Sequence, residues 1–170
     1  MTELRLALSL LICAAVLAGC AGAGGVGGVK ATTKAAPDIK VTLVSGGEAT
    51  LSSFKGRPVV LCFGASWCPH CLHEMPNLQQ VHEKYKDDVV ILLVLSKSPE
   101  DEVRSIVEKK GLTFPVGMDP DSEAKKAYGV TGIPMSFFID RQGNIRDDYF
   151  GSLEPSTLTD KIEDLLHGPM

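Results

Sequence analysis

The sequence predicts an α/β sandwich, in which helices cover both faces of a partly parallel sheet. Two nearly continuous apolar runs, 58–64 (PVVLCFG) and 88–95 (DVVILLVL), are typical of strands that are buried on both faces. Segments with helical spacing of apolar residues lie between these runs and after them. Hydrophobic residues make up 44% and charged residues 22% of the 170-residue chain, which indicates a globular domain with a sizeable core.

Turn residues and apolar spacing define the elements of this domain. The first two strands flank the turn Ser45-Gly46-Gly47, and the last two flank a turn at 141–144. Helices carry apolar residues three or four positions apart, and Gly111 and Gly129 are typical helix stops. In chain order, we predict strands at 39–43, 49–51 and 58–64, a helix at 68–85, a strand at 88–95, a helix at 100–110, a strand at 114–117, a helix at 122–128, strands at 135–139 and 145–150, and a helix at 154–166.

The charge pattern argues against one class of partner. The chain has 17 basic and 21 acidic side chains, which give a formal net charge of −4 at pH 7. No block of basic residues occurs anywhere along it. Because nucleic-acid-binding domains carry a basic patch or stripe, we expect no nucleic acid partner.

The first residues have the character of an export signal. Residues 6–17 form a weakly polar to apolar run of signal-peptide length, which is too short to cross a bilayer as a helix. The run ends in Leu17-Ala18-Gly19-Cys20, which resembles the bacterial lipoprotein cleavage box. We therefore predict a lipoprotein signal peptide over residues 1–19 and lipid on Cys20. The alternative is an ordinary secretory leader with an incidental cysteine.

Residues 20–37 are predicted to be a flexible tether before a domain at 38–170. This segment is rich in Gly, Ala and Thr and has no periodicity. Lipid on Cys20 would hold the protein at a membrane surface on the extracytoplasmic (periplasmic) side of the cell envelope, where disulfides are permitted. Cys13 would leave with the leader and Cys20 would be capped. The remaining thiols are those of Cys62, Cys68 and Cys71.

The chemistry is carried by the motif Trp67-Cys68-Pro69-His70-Cys71, where a buried strand turns into a helix. Two intervening residues bring the sulfurs close enough to bond. A helix start offers unpaired N–H groups and the positive end of the helix dipole, which favour the attacking thiolate over the thiol. We assign Cys68 as an exposed nucleophile and Cys71 as the resolving thiol, which breaks the mixed disulfide between Cys68 and its partner.

Three other interpretations of the cysteine pair are weaker. A static disulfide would close a very small loop and stabilise the fold little. A zinc site would need two more ligands, and a helix points His70, His73 and His82 to different sides. A peroxidase of the peroxiredoxin type needs a threonine where this chain has Ala65. We therefore predict a redox-active disulfide with no metal and no cofactor.

Several ordered segments carry a family resemblance. They are Leu51 to Leu61 (LSSFKGRPVVL), the Trp-Cys-x-x-Cys motif at 67–71, Glu74-Met75-Pro76, Tyr128 to Pro134 (YGVTGIP), and Phe138-Ile139-Asp140-x-x-Gly143. With these segments the chain resembles the TlpA/ResA-like thiol–disulfide oxidoreductases over about three quarters of its length. The resemblance implies a thioredoxin-like three-layer sandwich with a mixed central sheet and a βα insertion, for which residues 96–129 have the length. It also implies an enzyme that acts on protein thiols and disulfides, and we expect a monomer.

The resemblance extends to individual site residues. Pro134 matches the family's cis-proline, which faces the disulfide and frees the backbone of Ile133 to pair with a bound peptide. Trp67 would contribute to the same substrate surface. Glu74 matches the family's acidic residue, which would accept a proton from Cys71. The alternatives are a trans proline that opens a strand and an exposed helix glutamate.

Two positions depart from the family's pattern. Thioredoxins have a buried aspartate where this chain has Cys62, and this subgroup often has an asparagine there. We interpret Cys62 as a core residue, so that Glu74 or solvent would carry more of the proton transfer. An aromatic residue is common at the position of Gly64, so looser packing behind the site is expected.

The dipeptide Pro69-His70 bears on the direction of electron transfer. The same pair is found in the strongly oxidising protein DsbA. A histidine between the cysteines can stabilise the Cys68 thiolate by charge or hydrogen bonding, which favours the reduced protein. We therefore expect a disulfide more oxidising than that of thioredoxin.

The leading functional hypothesis is a tethered oxidoreductase that exchanges disulfides with other exported proteins. By the resemblance, its role would lie in cytochrome c maturation or disulfide homeostasis, and an unidentified redox partner would recharge the pair. The alternative is a copper-binding assembly module on a thioredoxin fold. Related copper carriers use a different cysteine spacing and a distant histidine, and His167 is the only remote histidine in this chain.

Overall fold

A mixed eight-stranded sheet forms the centre of the protein in the computed structural model, which describes residues 34–168. Four α-helices and a 3-10 helix at Leu51–Phe54 accompany the sheet. The elements in chain order are β1 (Lys34–Ala35), β2 (Lys40–Leu43), β3 (Glu48–Thr50), β4 (Val59–Gly64), α1 (Pro69–Tyr85), β5 (Val90–Ser96), α2 (Glu100–Lys110), β6 (Val116–Asp119), α3 (Glu123–Ala127), β7 (Met135–Ile139), β8 (Asn144–Phe150) and α4 (Pro155–His167).

The strand order is β1-β8-β7-β4-β5-β6-β2-β3. Strand β5 is parallel to both of its neighbours, β4 and β6. All other neighbouring strands in the sheet are antiparallel. The two predicted apolar runs form β4 and β5, which are buried along their whole length. The predicted α/β class with a mixed sheet is confirmed.

The core lies in two layers, one on each face of the sheet. Successive β4 side chains alternate between them, so that Val60 belongs to one layer and Leu61 to the other. The first layer contains residues of α1, α2 and α4, such as Met75. The second contains residues of α3 and of the 3-10 helix, such as Leu51. Two covered faces make a three-layer sandwich.

The segment between β5 and β7 contains α2, β6 and α3. It adds β6 to the sheet beside β5. The strand predicted at 114–117 lies two residues later, at Val116–Asp119. Pro115 has no N–H to donate to a neighbouring strand, so the ladder begins after it, while Phe114 is buried before the strand starts.

Residues 34–37 differ from the predicted flexible tether. Strand β1 pairs with β8, the Ala36 N–H donates to the Gly143 carbonyl at 2.9 Å, and the Tyr128 hydroxyl donates to the Pro37 carbonyl at 3.0 Å. In residues 34–37 these bonds are made by backbone N–H and C=O groups, which do not depend on the side chains present. The amino-acid composition of the segment therefore did not predict them. The predicted leader, Cys20 and the rest of the tether lie outside the described residues. None of the helices between residues 34 and 168 combines the length and the apolar composition that a bilayer span requires.

Candidate active site

The cysteine pair lies where β4 passes into α1. Cys68 is the N-cap residue of α1 with an extended backbone, and Pro69 is the first helical residue, where a missing N–H removes no helical hydrogen bond. Cys68 and Cys71 form a disulfide, and their Cα atoms are 5.3 Å apart. The Cys71 N–H donates to Cys68 Sγ at 3.2 Å. The first sulfur therefore accepts one of the N–H groups that a helix start leaves unpaired.

Both sulfurs are covered in this disulfide form. Cys68 is 5% exposed and Cys71 is 3% exposed, and they pack with Ala65 and Ile133. The expectation of an exposed Cys68 is therefore wrong for the oxidised state. The disulfide turns Cys68 toward Cys71, and the Ile133 side chain packs against the pair.

The peptide bond between Ile133 and Pro134 is cis, as the resemblance implied, and the trans alternative is wrong. Pro134 comes directly before β7, whose first residue Met135 pairs with Phe63 of β4. The Pro134 carbonyl accepts a hydrogen bond from the Gly151 N–H at 2.9 Å. Among the residues that the structure describes, no group hydrogen-bonds to the backbone N–H or C=O of Ile133. This backbone is available beside the disulfide.

The tryptophan before the first cysteine is held by one polar contact. Trp67 is 63% exposed, and its Nε1–H donates to the Lys97 carbonyl at 3.2 Å. Pro69 and His70 are exposed as well, so the outer surface of the motif is open to a partner. The Ser152 hydroxyl approaches the His70 carbonyl at 3.5 Å.

Sequence reasoning missed a hydrogen-bond network behind the motif. The Ser66 N–H donates to Ser98 Oγ at 2.9 Å, and the Ser66 hydroxyl donates to Glu102 Oε2 at 2.6 Å. Together with the contact between Trp67 and Lys97, these bonds join the loop before α1 to the loop after β5 and to α2. The sequence did contain a signal for this network. Polar residues follow both β4 and β5, and parallel neighbouring strands end at the same edge of a sheet, so these residues are expected to lie close together.

Glu74 lies one helical turn after Cys71 and is buried, with 2% exposure. The Leu153 N–H donates to Glu74 Oε1 at 3.2 Å. Burial raises the pKa of Glu74 from 4.5 to about 7, and the bond from Leu153 opposes that rise only in part. The alternative of an exposed helix glutamate is therefore wrong.

The two departures from the family pattern also lie behind the disulfide. Cys62 is a buried free thiol that accepts a hydrogen bond from the Ser136 hydroxyl at 3.3 Å. Burial, and then the charge of Glu74, raise the pKa of Cys62, so it stays a neutral thiol in the core. The expectation of loose packing at Gly64 is wrong. A Cβ there would lie 3.3 Å from Cβ and Sγ of Cys71, so the absent side chain lets α1 approach β4 closely.

The histidines are dispersed. His73 is exposed, whereas His82 is half-buried with its ring 5.7 Å from that of Phe114. His167 lies at the last turn of α4, where its Nε2 is 3.5 Å from Glu163 Oε2. Within residues 34–168, no three His, Cys, Asp or Glu side chains are grouped as a metal ion would require.

Replacing Glu74 by Gln should remove a pH-dependent loss of stability. Because the folded pKa of about 7 exceeds the ordinary 4.5, the wild type has its full stability below pH 4.5. It loses about 3 kcal/mol as the pH rises through 7, a difference that follows from the two pKa values. Glu74→Gln keeps an acceptor for Leu153 and cannot ionise. Urea unfolding of the oxidised protein at pH 4.5 and pH 8 measures the change.

The exposed Glu123 provides the matched control for this comparison. Glu123→Gln should keep the pH dependence of the wild type, whereas Glu74→Gln should be more stable than the wild type at pH 8. Equal pH dependence in all three proteins would show that Glu74 does not ionise in a buried environment.

The comparisons with known proteins agree with this geometry. Residues 32–148 match the AhpC/TSA family. The chain is 34% identical to thiol-disulfide oxidoreductase ResA of Bacillus cereus (strain ATCC 10987 / NRS 248) over 131 residues, which cover 76% of each chain. It is 33% identical to ResA of Geobacillus kaustophilus (strain HTA426), with 76% of this chain and 75% of that one covered.

Solved structures show the same fold. A thiol:disulfide interchange protein of the thioredoxin family from Chlorobium tepidum TLS superimposes with a TM-score of 0.74 at 26% identity, covering 80% of this chain and 98% of that one. A secreted Mycobacterium tuberculosis disulfide oxidoreductase, described as homologous to E. coli DsbE, gives a TM-score of 0.70 at 25% identity, with 75% and 96% covered. The chain is therefore a thioredoxin-fold member of the AhpC/TSA family and a protein thiol–disulfide oxidoreductase of the ResA type.

Proposed function

We propose that this protein exchanges disulfides with exported proteins at the cell envelope, with Cys68 as the nucleophile and Cys71 as the resolving thiol. The hydrogen bond from the Cys71 N–H to Cys68 Sγ carries this assignment. It marks Cys68 as the sulfur at the helix start, where a negative charge is stabilised. Cys71 lies inside the first turn of α1 and not at the N-cap position.

The exchange proceeds in two steps that balance in sulfur bonds and electrons. The Cys68 thiolate attacks one sulfur of a substrate disulfide, the substrate S–S bond breaks, and the other substrate sulfur leaves as a thiolate. Cys71 then loses its proton and attacks Cys68 Sγ in the mixed disulfide, which releases the second substrate sulfur. The substrate gains two electrons and the protein becomes oxidised. The same steps in reverse deliver a disulfide to a substrate.

Glu74 is the group that we assign to accept the proton from Cys71. It lies one turn further along α1, and its pKa of about 7 leaves both of its protonation states populated near neutral pH. A base with a pKa near the working pH can take a proton in one direction of the reaction and return it in the other. Cys62 stays neutral and so provides no competing base.

The substrate would bind over the loop that precedes β7. An extended peptide can pair with the free backbone of Ile133, which places a peptide cysteine beside the disulfide. The exposed indole of Trp67 adds apolar contact area next to Cys68, and Pro134 holds the loop to residue 151 through its carbonyl. Backbone pairing accepts many sequences, which suits an enzyme with several protein substrates.

The cellular role follows from the leader and from the resemblance. Export, a lipid on Cys20 and a tether before residue 34 would hold the domain near a membrane on the extracytoplasmic side. Substrates would then be exported proteins with cysteines, such as those handled in cytochrome c maturation or disulfide homeostasis. A separate redox partner would recharge the cysteine pair after each turnover.

Replacing Cys71 by Ser should trap substrates as mixed disulfides on Cys68. Without the resolving thiol the second step cannot occur, so adducts should accumulate and disappear on treatment with a dithiol. Mass spectrometry of adducts purified from the native envelope identifies the attached cysteine. The double variant Cys68→Ser/Cys71→Ser serves as the control. Absence of adducts in Cys71→Ser, or their persistence in the control, would contradict the assignment.

Replacing His70 by Pro or Gly should lower the reduction potential. The histidine stabilises the Cys68 thiolate and therefore the reduced protein, so its loss makes the disulfide less oxidising. We expect a shift of about 30 mV or more, which corresponds to about tenfold in the equilibrium constant with glutathione. His73→Ala, an exposed histidine on the same helix, is the matched control and should leave the potential unchanged. An unchanged potential in both His70 variants would contradict this role.

A further inference from the structure

One exposed aromatic side chain is left unexplained by the redox chemistry. Among residues 34–168, the exposed large hydrophobic side chains are Trp67 and Phe150. Phe150 is 68% exposed at the last position of β8, where it pairs with Met135, the residue directly after Pro134. A single exposed hydrophobic residue is common, but this one borders a cavity.

The cavity beside Phe150 has a volume of about 170 Å³. It is lined by the segment 128–132, by Met135 and Phe137 of β7, and by Asp148 and Phe150 of β8. An apolar cavity of about 150 Å³ is large enough to take benzene. The cavity at Phe150 therefore has room for one aliphatic or aromatic side chain.

Two of the aromatic residues that line this cavity, Tyr128 and Phe137, are held by contacts within the domain. The ring of Tyr128 lies 4.9 Å from that of Phe137 and 5.3 Å from that of Phe63, measured between centroids. The Tyr128 hydroxyl donates to the Pro37 carbonyl at 3.0 Å. Binding sites are commonly lined by aromatic side chains, and a held ring such as that of Tyr128 costs less to order on binding.

The cavity is continuous with the redox site through the backbone. Gly132, which lines the cavity, is followed by Ile133, which packs against Cys68 and Cys71. The loop after Phe150 is tied to the same segment, because the Gly151 N–H donates to the Pro134 carbonyl. A peptide lying beside Ile133 thus passes next to the cavity.

We propose that this cavity is a subsite for an apolar side chain of the substrate, carried by the same extended segment as the reacting cysteine. The proposal rests on the proposed function and names a specificity determinant for it. Phe150 is the wall that a bound side chain would contact most, because its ring is open to solvent in the free protein. Asp148 adds a carboxylate to the lining, which disfavours an acidic side chain at the same position.

Gly132 keeps the Phe150 ring in this position. A Cβ at residue 132 would lie 2.6 Å from Cε2 and 3.1 Å from Cζ of Phe150, so an alanine would push the ring away. The backbone of Gly132 has no positive φ angle, which leaves the contact with the ring as the reason for a glycine. Substitutions at Phe150 and at Gly132 therefore alter the subsite in two ways, by removing the ring and by displacing it.

The test compares peptides that differ at one position near a disulfide-bonded cysteine. Each peptide carries Leu, Ser or Asp at one position within four residues of the cysteine, and kcat/KM for exchange with the full-length protein is measured. We expect the wild type to prefer Leu over Ser by about tenfold at one position or at two positions spaced two residues apart, with Asp below Ser. Phe150→Ala and Gly132→Ala should lose this preference through KM, and Phe150→Leu should retain most of it.

Tyr149→Ala, which changes the neighbouring residue on the opposite face of β8, is the control for general weakening of the strand. It should keep the preference. The proposal is overturned if the wild type shows no preference at any position, or if Phe150→Ala keeps it. It is also overturned if sedimentation shows a dimer that Phe150→Ala abolishes, since the patch would then join two copies of the chain.

A failure of the subsite is distinguishable from a failure of the proposed function. The rate of disulfide exchange with dithiothreitol does not depend on peptide side chains, so it should be equal in the wild type and in Phe150→Ala. If the wild type exchanges with dithiothreitol but not with any peptide, the proposed function fails. If it exchanges with all the peptides equally, only the subsite fails.

Discussion

The site depends on one hydrogen bond, from the Cys71 N–H to Cys68 Sγ at the first turn of α1. The buried strand β4 delivers Cys68 to that place, and Pro69 begins the helix without losing a helical hydrogen bond. Gly64 lets the helix lie close enough to the sheet for Cys71 to pack directly over β4. The proposed function assigns the thiolate to Cys68 because a helix start stabilises negative charge through its unpaired N–H groups and its dipole.

Two buried titratable side chains near the disulfide, Glu74 and Cys62, differ in their protonation. Glu74 is buried with one backbone partner, and its raised pKa makes it destabilising to the fold at neutral pH. In the proposed function, that loss of stability accompanies the use of Glu74 as a base one helical turn from Cys71. Cys62 lies where a second carboxylate would raise the pKa of Glu74 further, and its thiol stays neutral under the hydroxyl of Ser136. Glu74 is therefore a buried carboxylate whose charged form is disfavoured by burial and is stabilised in part by the hydrogen bond from the Leu153 N–H.

Much of the fold and the centre of the site could be predicted from local sequence signals. The strands β4 and β5 could be predicted because burial on both faces selects apolar residues along their whole length. The end of α2 could be predicted because the residue that follows it, Gly111, has a left-handed backbone conformation, which favours glycine. The placement of Ile133 beside Cys68 joins residues 65 positions apart, so only the family resemblance predicted it, and no local spacing pattern could have. The pairing of Lys34 with β8 and the bond from Ser66 to Glu102 depend on which strand edges and loops meet in space. Such contacts are properties of the topology, and a single sequence carries no direct record of them.

The account is tested most directly by the pH dependence of Cys68 alkylation in the reduced protein, with mass spectrometry to identify the modified residue. A free cysteine has a pKa of about 8.5. If the helix start stabilises the thiolate, the rate of alkylation at Cys68 should reach half its maximum well below that pH and stay high in mildly acidic solution. A half-maximal rate at pH 8.5 or above, equal to that of an unstructured peptide with the same motif, would contradict the account.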